Sequence, residues 1–367
     1  MNILYISNLS GNLWAGPNNS VPAQIRAQSK IDNVFWFNYN HTKRVEWTRN
    51  GLDCKNLDDF PKGRLNDLPV PFNHPDIVVV EEFYCFPFCK IISDIQKQKI
   101  PYIIIPRSEM TGMAQENKKW KKKLGNLLYF NRFAKKAIGI QFLTENEKND
   151  SGKKWNKKFF VIPNGIDLPE KKKEDFSFDC IKASYIGRIE IYQKGLDLLI
   201  DAIAELKDDL TNNNFQLTIY GPNRDGALTD LMCKVKMNYL ENIVSFHEAV
   251  FNTRKAEVLL NTDVFIMTSR FEGHPMGLIE ALSYGIPCVA TRGTNMADEI
   301  CDYDAGWTAE NDKETIKQAL RQMIFSRNCS QKGKNAHALA MNYSWETIAK
   351  KSHAEYKQLL SDISPCV

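Results

Sequence analysis

Short runs of β-branched and aliphatic residues alternate with stretches of helical periodicity along the whole chain. In the first half the strand-like runs are Ile3–Ser7, Val34–Tyr39, Ile77–Glu81, Tyr102–Pro106, Ile138–Thr144 and Phe159–Ile162. In the second half they are Ala183–Gly187, Gln216–Tyr220, Ile243–Phe246, Val264–Thr268 and Pro287–Ala290. Several of them (IVVV, YIII, VFIM) are continuously apolar, as strands covered on both faces must be. Between the runs the period changes, and Leu196, Leu199, Ile200 and Ile203 share one face of a helix. Such alternation predicts α/β units with parallel sheets. The lysine-rich, strand-poor stretch Leu168–Asp179 reads as a linker, which divides the chain into a unit over 1–167 and another over 168–344. A last helical pattern, Trp345–Leu360, follows an Asn-Tyr-Ser capping region.

Composition narrows the class. The 367 residues are 43% hydrophobic and 25% charged, normal for a folded soluble protein with a core in each of two units. A formal charge of +4 is mild for this length and does not point to nucleic acid. The start, MNILYISNLSG, lacks the basic and apolar regions of a signal peptide and reads as a buried strand. No apolar run approaches the ~18 residues that cross a bilayer. The nine cysteines are scattered, with Cys85 and Cys89 the only close pair and no zinc-like cysteine–histidine spacing. Reduced thiols in the cytoplasm are the simplest account.

Four strand ends carry residues suited to a ligand, and ligands of open parallel sheets sit beyond the carboxyl ends of strands. In Tyr185–Leu196 (YIGRIEIYQKGL), Arg188 and Lys194 flank a loop leading into a helix, whose N-terminus favours an anion. Two fixed cations there suit a diphosphate, although exposed basic loop residues are the plainer reading. In Thr268–Ile286 (TSRFEGHPMGLIEALSYGI), a Gly/Pro loop precedes a helix expected to begin near Pro275. Glu272 lies in that loop and Glu280 in the helix; a carboxylate so placed accepts from two neighbouring sugar hydroxyls, and ordinary surface glutamates are the alternative. Ile162–Asp167 (IPNGID) is a tight Asn-Gly turn, and Gly11–Val21 (GNLWAGPNNSV) is a glycine-containing loop after the first strand, without the GxGxxG fingerprint. Asp302–Asp304 (DYD) resembles a metal-binding aspartate pair only superficially, because it falls in a polar turn after a helix.

Together these segments resemble the retaining glycosyltransferases of the GT-B fold, in the large group called family 4. The matching pieces are PNGID, the pair formed by Gly187, Arg188, Lys194 and Gly195, the Gly221–Pro222 step, the E-x7-E spacing of Glu272 and Glu280, and IPCVATRGTNMADEI. The resemblance runs along nearly the whole chain and is densest from Tyr185 to Trp307. It implies two Rossmann-like domains whose sheets face each other across a cleft, with the last helix completing the N-terminal domain. The N-terminal domain would take the acceptor and the C-terminal domain a nucleotide sugar. It further implies that Arg188 and Lys194 clamp the donor diphosphate, Glu280 holds the ribose hydroxyls and Glu272 orients the sugar. Gly16 would lie near the phosphates, and Met276, Gly277 and Leu278 would offer backbone amides. Transfer would retain the anomeric configuration by front-face attack, to a glycan or lipid-linked saccharide acceptor of the surface-polysaccharide kind. No cofactor and no metal ion would be needed, since two cations already face the diphosphate.

The chain departs from the family pattern in places. It reads PRSEM where many relatives carry a histidine, which leaves Arg107 as a replacement cation near the donor or Glu109 facing the acceptor. GHPM stands where relatives have Gly-Phe-Gly, making His274 a donor-site candidate or a bystander. His247 and Glu248 stand where a glycine is common, so base recognition stays open. The competing functions are a non-catalytic nucleotide-sugar-binding subunit supporting a partner, and another GT-B activity such as an epimerase or phosphorylase.

The most lopsided stretch is 117–137, NKKWKKKLGNLLYFNRFAKKA. Trp120, Leu124, Leu127, Leu128 and Phe133 form an apolar stripe among lysines. Two readings fit it: a helix packed on the first domain, or a basic amphipathic surface resting on the inner face of an anionic membrane. No aromatic–basic reader module accompanies it, so nucleic acid is not expected as a partner.

Overall fold

The structure, a computed structural model, describes all residues except 13–15, 85–88, 117, 152–153, 177–178, 225, 327 and 364–367, and the side chains of 49, 50 and 113. Cys85 and part of the first glycine-containing loop therefore lie outside the described residues. Two compact units emerge: Met1–Gly165 with Trp345–Val367, and Ile166–Ser344.

In the first unit the strands among the described residues are β1 (Asn2–Ser7), β2 (Asn33–Asn38), β3 (Cys54–Asn56), β4 (Ile77–Glu81), β5 (Tyr102–Ile105), β6 (Gly139–Phe142) and β7 (Phe159–Val161). They form one parallel sheet in the order β3-β2-β1-β4-β5-β6-β7. Successive side chains leave opposite faces of a strand. Thus Leu4, Ile6, Val78 and Val80 enter one buried cluster, whereas Ile3, Tyr5, Ile77 and Val79 enter another. Burial on both faces explains why these runs show no polar alternation. The helix Trp345–Ile363 supplies Tyr356 and Leu359 to the second cluster, and the Tyr356 hydroxyl donates to Gln141 Oε1 at 2.9 Å.

In the second unit the strands are β8 (Lys182–Ile186), β9 (Gln216–Tyr220), β10 (Val244–His247), β11 (Val264–Met267), β12 (Cys288–Thr291) and β13 (Gly306–Ala309). Their order is β10-β9-β8-β11-β12-β13, again all parallel. The chain therefore winds one way from β8 and the other way from β11, so the topological switch point lies between these two strands. The helix Leu196–Glu205 buries Leu196, Leu199, Ile200 and Ile203 on the sheet, as their spacing predicts.

Three details differ from the sequence expectation. Strands β3 (CKN) and β13 (GWTA) carry no apolar run and fall outside the strands expected. The stretch read as a linker belongs to the second unit, because Lys173 pairs with Asp263 at 3.0 Å and its N–H donates to the Tyr284 carbonyl. The apolar stripe of 117–137 is split. Phe130, Phe133, Ala134 and Ala137 take the inward face at spacings of a helix, while Trp120, Leu124, Leu127 and Leu128 stay exposed.

Candidate active site

The loops leaving β8 and β11 meet at the switch point of the second unit. After β8 a short helical turn, Ile191–Lys194, ends at Gly195, which has φ +62°. A Cβ on Gly195 would lie 2.1 Å from the Thr268 carbonyl oxygen, so only glycine lets this turn approach the end of β11 so closely. Gly221 serves the neighbouring loop in the same way, since a Cβ there would lie 1.7 Å from the Gly187 carbonyl oxygen. This close packing brings Lys194 Nζ to 2.6 Å from Glu272 Oε1, although the two residues are 78 apart in the chain. Both side chains are almost buried, and Ser269 Oγ donates to the same carboxylate oxygen at 2.6 Å.

Arg188 stands at the mouth of the β8 loop, half-buried, with its guanidinium 3.0 Å from Gln193 Oε1 and 3.3 Å from Glu190. The Tyr185 hydroxyl donates to the Arg188 carbonyl at 2.8 Å and fixes the loop's exit from the strand. On the other side, the helix Met276–Ser283 begins after Pro275. Its Met276 N–H donates to the His274 carbonyl and its Leu278 N–H to that of Pro275, whereas Gly277 N–H has no protein partner among the described residues. Gly277 sits against β8: a Cβ there would be 3.1 Å from the Ile186 carbonyl oxygen. Glu280, one turn further along this helix, pairs with Lys255.

The His274 ring lies 5.8 Å from that of Tyr343, with Nδ1 3.3 Å from the Met276 sulfur. Its Nε2 is buried without a hydrogen-bond partner, and burial pulls its pKa down to about 4. The imidazole is thus neutral at physiological pH and presents an unsatisfied polar atom next to the Glu272 loop. Beyond β9 and β10 a cavity of about 830 Å³ opens, lined among others by Gly221, Pro222, Asn223, Met232, His247 and Glu248. Its size is that of a small-molecule site. The Tyr220 and His247 rings stand 5.4 Å apart at its edge.

The first unit places its candidates differently. Gly16 precedes the helix Pro17–Gln28 and accepts from Asn19 and Ser20, with open space where a Cβ would point. Arg107 is nearly buried and fully engaged within its own unit. It reaches Glu81 at 2.8 Å, Gln24 at 2.9 Å, Ser20 at 3.1 Å and Asn164 at 3.2 Å. Burial raises the Glu81 carboxyl above its usual range despite the opposing Arg107 charge. Glu109 turns inward and accepts from the N–H groups of Phe83 and Tyr84; burial nevertheless raises it. As placed, both side chains tie β4, β5 and neighbouring segments together. Asp304 of the DYD turn pairs with Lys332, and among the described residues no three His, Cys, Asp or Glu side chains cluster to hold a metal.

Several residues that organise this site carried no sequence signal. Arg270 binds both carboxylate oxygens of Asp197, at 2.8 and 2.7 Å, and donates to the Ile191 and Tyr192 carbonyls. It thereby fastens the β11 loop to the β8 loop. Burial pushes Asp197 up, but the hydrogen bonds and charge of Arg270 outweigh it and hold the carboxyl below its usual range. Asn295, with φ +62°, donates to the Glu272 carbonyl at 2.5 Å. Lys255 is equally unmarked in the sequence, since 25 residues separate it from the Glu280 it pairs with.

Residues 169–338 match the family model described as Glycosyl transferases group 1. Over this stretch, a little under half of its length, the chain is similar to the group 1 glycosyl transferases. A curated relative from Arabidopsis thaliana, one of the subunits of phosphatidylinositol N-acetylglucosaminyltransferase, is 28% identical over 205 residues, which are 55% of this chain and 44% of the relative. The chain spans about half the length of the curated relatives it matches. Among solved structures, the apo lipopolysaccharide outer core galactosyltransferase WaaB has a TM-score of 0.69 at 16% identity, covering 98% of this chain and 100% of that one. Anabaena Alr3699/HepE in complex with UDP and glucose has a TM-score of 0.63 at 15% identity, covering 98% and 100%. At these identities the likeness is one of fold: two parallel-sheet Rossmann-like units, the GT-B fold.

Proposed function

We propose that this protein moves a sugar from a nucleotide-sugar donor to a glycan or lipid-linked saccharide, with retention at the anomeric carbon. The observation that carries the proposal is the convergence of Lys194 and Glu272 at the switch point, 2.6 Å apart and almost buried. Lys194, with Arg188 at the loop mouth, meets the donor diphosphate. Glu272 accepts from sugar hydroxyls, and Glu280 from the ribose. Met276, Gly277 and Leu278 line the approach, the unpartnered Gly277 N–H being the amide suited to an anionic oxygen. His274, neutral, offers Nε2 beside Glu272. The cavity beyond β9 and β10 suits the base, with His247 and Glu248 on its wall.

In the reaction the bond from anomeric carbon to diphosphate oxygen breaks and a bond to the acceptor oxygen forms on the same face. The acceptor proton passes to the departing diphosphate. Arg188 and Lys194 neutralise the charge growing on that leaving group, so no divalent ion is required. The relatives named for a phosphatidylinositol and a lipopolysaccharide core support a lipid-linked acceptor of the surface-polysaccharide kind. A cytoplasmic enzyme resting on the membrane through residues 117–137 fits such an acceptor.

The test is release of nucleoside diphosphate from a panel of UDP-, GDP- and ADP-sugars, with and without acceptor and with EDTA present. Acceptor-dependent release that survives EDTA and is abolished by Glu272→Ala is expected. Binding of donor by the wild-type chain without any consumption would instead identify a non-catalytic role beside a partner enzyme.

A further inference from the structure

The segment Lys118–Lys136 is anchored on one side and bare on the other. It runs as the helix Lys119–Gly125, a π-helical turn Asn126–Phe130 and the helix Asn131–Lys136. Inward, Phe130 packs on Phe83 and Tyr84 at 5.1 and 4.6 Å. The Tyr84 hydroxyl reaches Asn126 and Gln115, and Lys122 Nζ lies 4.7 Å over the Tyr84 ring. Outward, Trp120, Leu124, Leu127 and Leu128 are 79, 59, 76 and 73% exposed. Their spacing puts all four in one row, and burying nothing there leaves a large apolar surface that soluble proteins normally avoid.

The charge around this row has one sign. Between Glu116 and Glu145 the chain holds eight lysines and arginines and no acidic residue. Lys118, Lys119, Lys121, Lys123, Arg132, Lys135 and Lys136 are exposed. A second copy of the chain on this face would press cations against cations. Nucleic acid would satisfy the lysines and leave three leucines in water. An anionic bilayer satisfies both: leucines reach the acyl boundary, Trp120 sits at headgroup level and lysines meet the phosphates.

We infer that the row Trp120, Leu124, Leu127 and Leu128, ringed by these lysines, docks the protein onto the surface of an anionic phospholipid membrane without crossing it. This deepens the lipid-linked acceptor reading, on which its purpose rests, but its test does not pass through sugar transfer. A chain that binds vesicles and moves no sugar would refute the activity and leave the docking intact.

The full-length protein is floated with vesicles of phosphatidylcholine alone and of equal parts phosphatidylcholine and phosphatidylglycerol. Binding to the anionic vesicles is expected to be at least about tenfold stronger and to weaken with salt. Trp120→Ser/Leu127→Ser/Leu128→Ser, and separately Lys118→Gln/Lys119→Gln/Lys121→Gln/Lys123→Gln, should each lose about tenfold or more while melting like wild type, since these side chains are exposed. Brominated acyl chains should quench tryptophan emission in wild type and much less in Trp120→Phe. Equal binding to neutral vesicles, wild-type binding by the serine variant, or quenching untouched in Trp120→Phe would overturn the inference. So would a lipid-free dimer that the serine variant abolishes.

Discussion

Replacing Lys194 by methionine isolates what the Lys194–Glu272 pair contributes. The side chains are 10% and 9% exposed and their charged atoms are 2.6 Å apart. At an effective dielectric near 20 the attraction at that distance is about 6 kcal/mol, much of it offset by desolvating the two groups. Lys194→Met removes the attraction but keeps Glu272 out of water, with Ser269 the remaining side-chain donor to that oxygen. Loss of one partner of a buried pair costs about 3–5 kcal/mol. For a unit the size of Ile166–Ser344, each kcal/mol lowers the melting temperature by about 2–4 °C, so the second unit should melt roughly 10 °C lower. Lys194→Met/Glu272→Gln should recover most of this, because the orphaned charge is gone. Calorimetric melting of the four proteins completes the cycle. The same proteins titrated with UDP, GDP and ADP test the assigned roles. Lys194→Met should lose about tenfold or more in nucleotide affinity, whereas Glu272→Gln should keep it and lose turnover. A Lys194→Met protein that melts within about 1 °C of wild type would refute the buried-pair argument. Unchanged nucleotide affinity would refute the phosphate role.

Further outcomes follow from neighbouring residues. Arg270→Ala breaks the two-pronged hold on Asp197 and should cost about 1–3 kcal/mol, read as a lower melting temperature that Arg270→Lys does not fully restore. Because Asp197 is held below its usual carboxyl range, its stabilisation is complete above the ordinary carboxyl pKa and fades as pH falls through its lower folded value. Stability measured against pH should lose that acid limb in the Arg270→Ala protein. His274 titrates at about 4 in the fold against 6.5 in the open chain. The fold is therefore fully stable with respect to this residue above 6.5 and loses on the order of 3 kcal/mol as pH falls through 4, a slope that His274→Phe should remove. Gly195→Ala forces a Cβ to within 2.1 Å of a carbonyl oxygen at positive φ and should cost at least about 2 kcal/mol, with donor consumption falling in parallel.

The apolar runs alone determined most of the two sheets. A strand buried on both faces must be hydrophobic at every position, and IVVV, YIII and VFIM could be little else. Strands β3 and β13 escaped because CKN and GWTA are short and mix polar with apolar residues; they hold their places by pairing with a neighbour and by burying Cys54, Trp307 and Ala309. The loops at strand ends were legible too, since glycine and Asn-Gly mark where backbone must turn sharply. Which charges meet there was not. Arg270 and Asp197 lie 73 residues apart, and no local spacing links an arginine to one aspartate among many. Arg107 shows the same limit, because four acceptors from β4, the first helix and the segment after β7 converge on it only once the sheet is assembled. The stripe in 117–137 makes the point from the other side. Its amphipathic pattern is written in the chain, but whether leucines face core or water depends on which face Phe130 and Phe133 claim first. Periodicity is a local property that a chain states openly, whereas partnership is a property of the assembled surface.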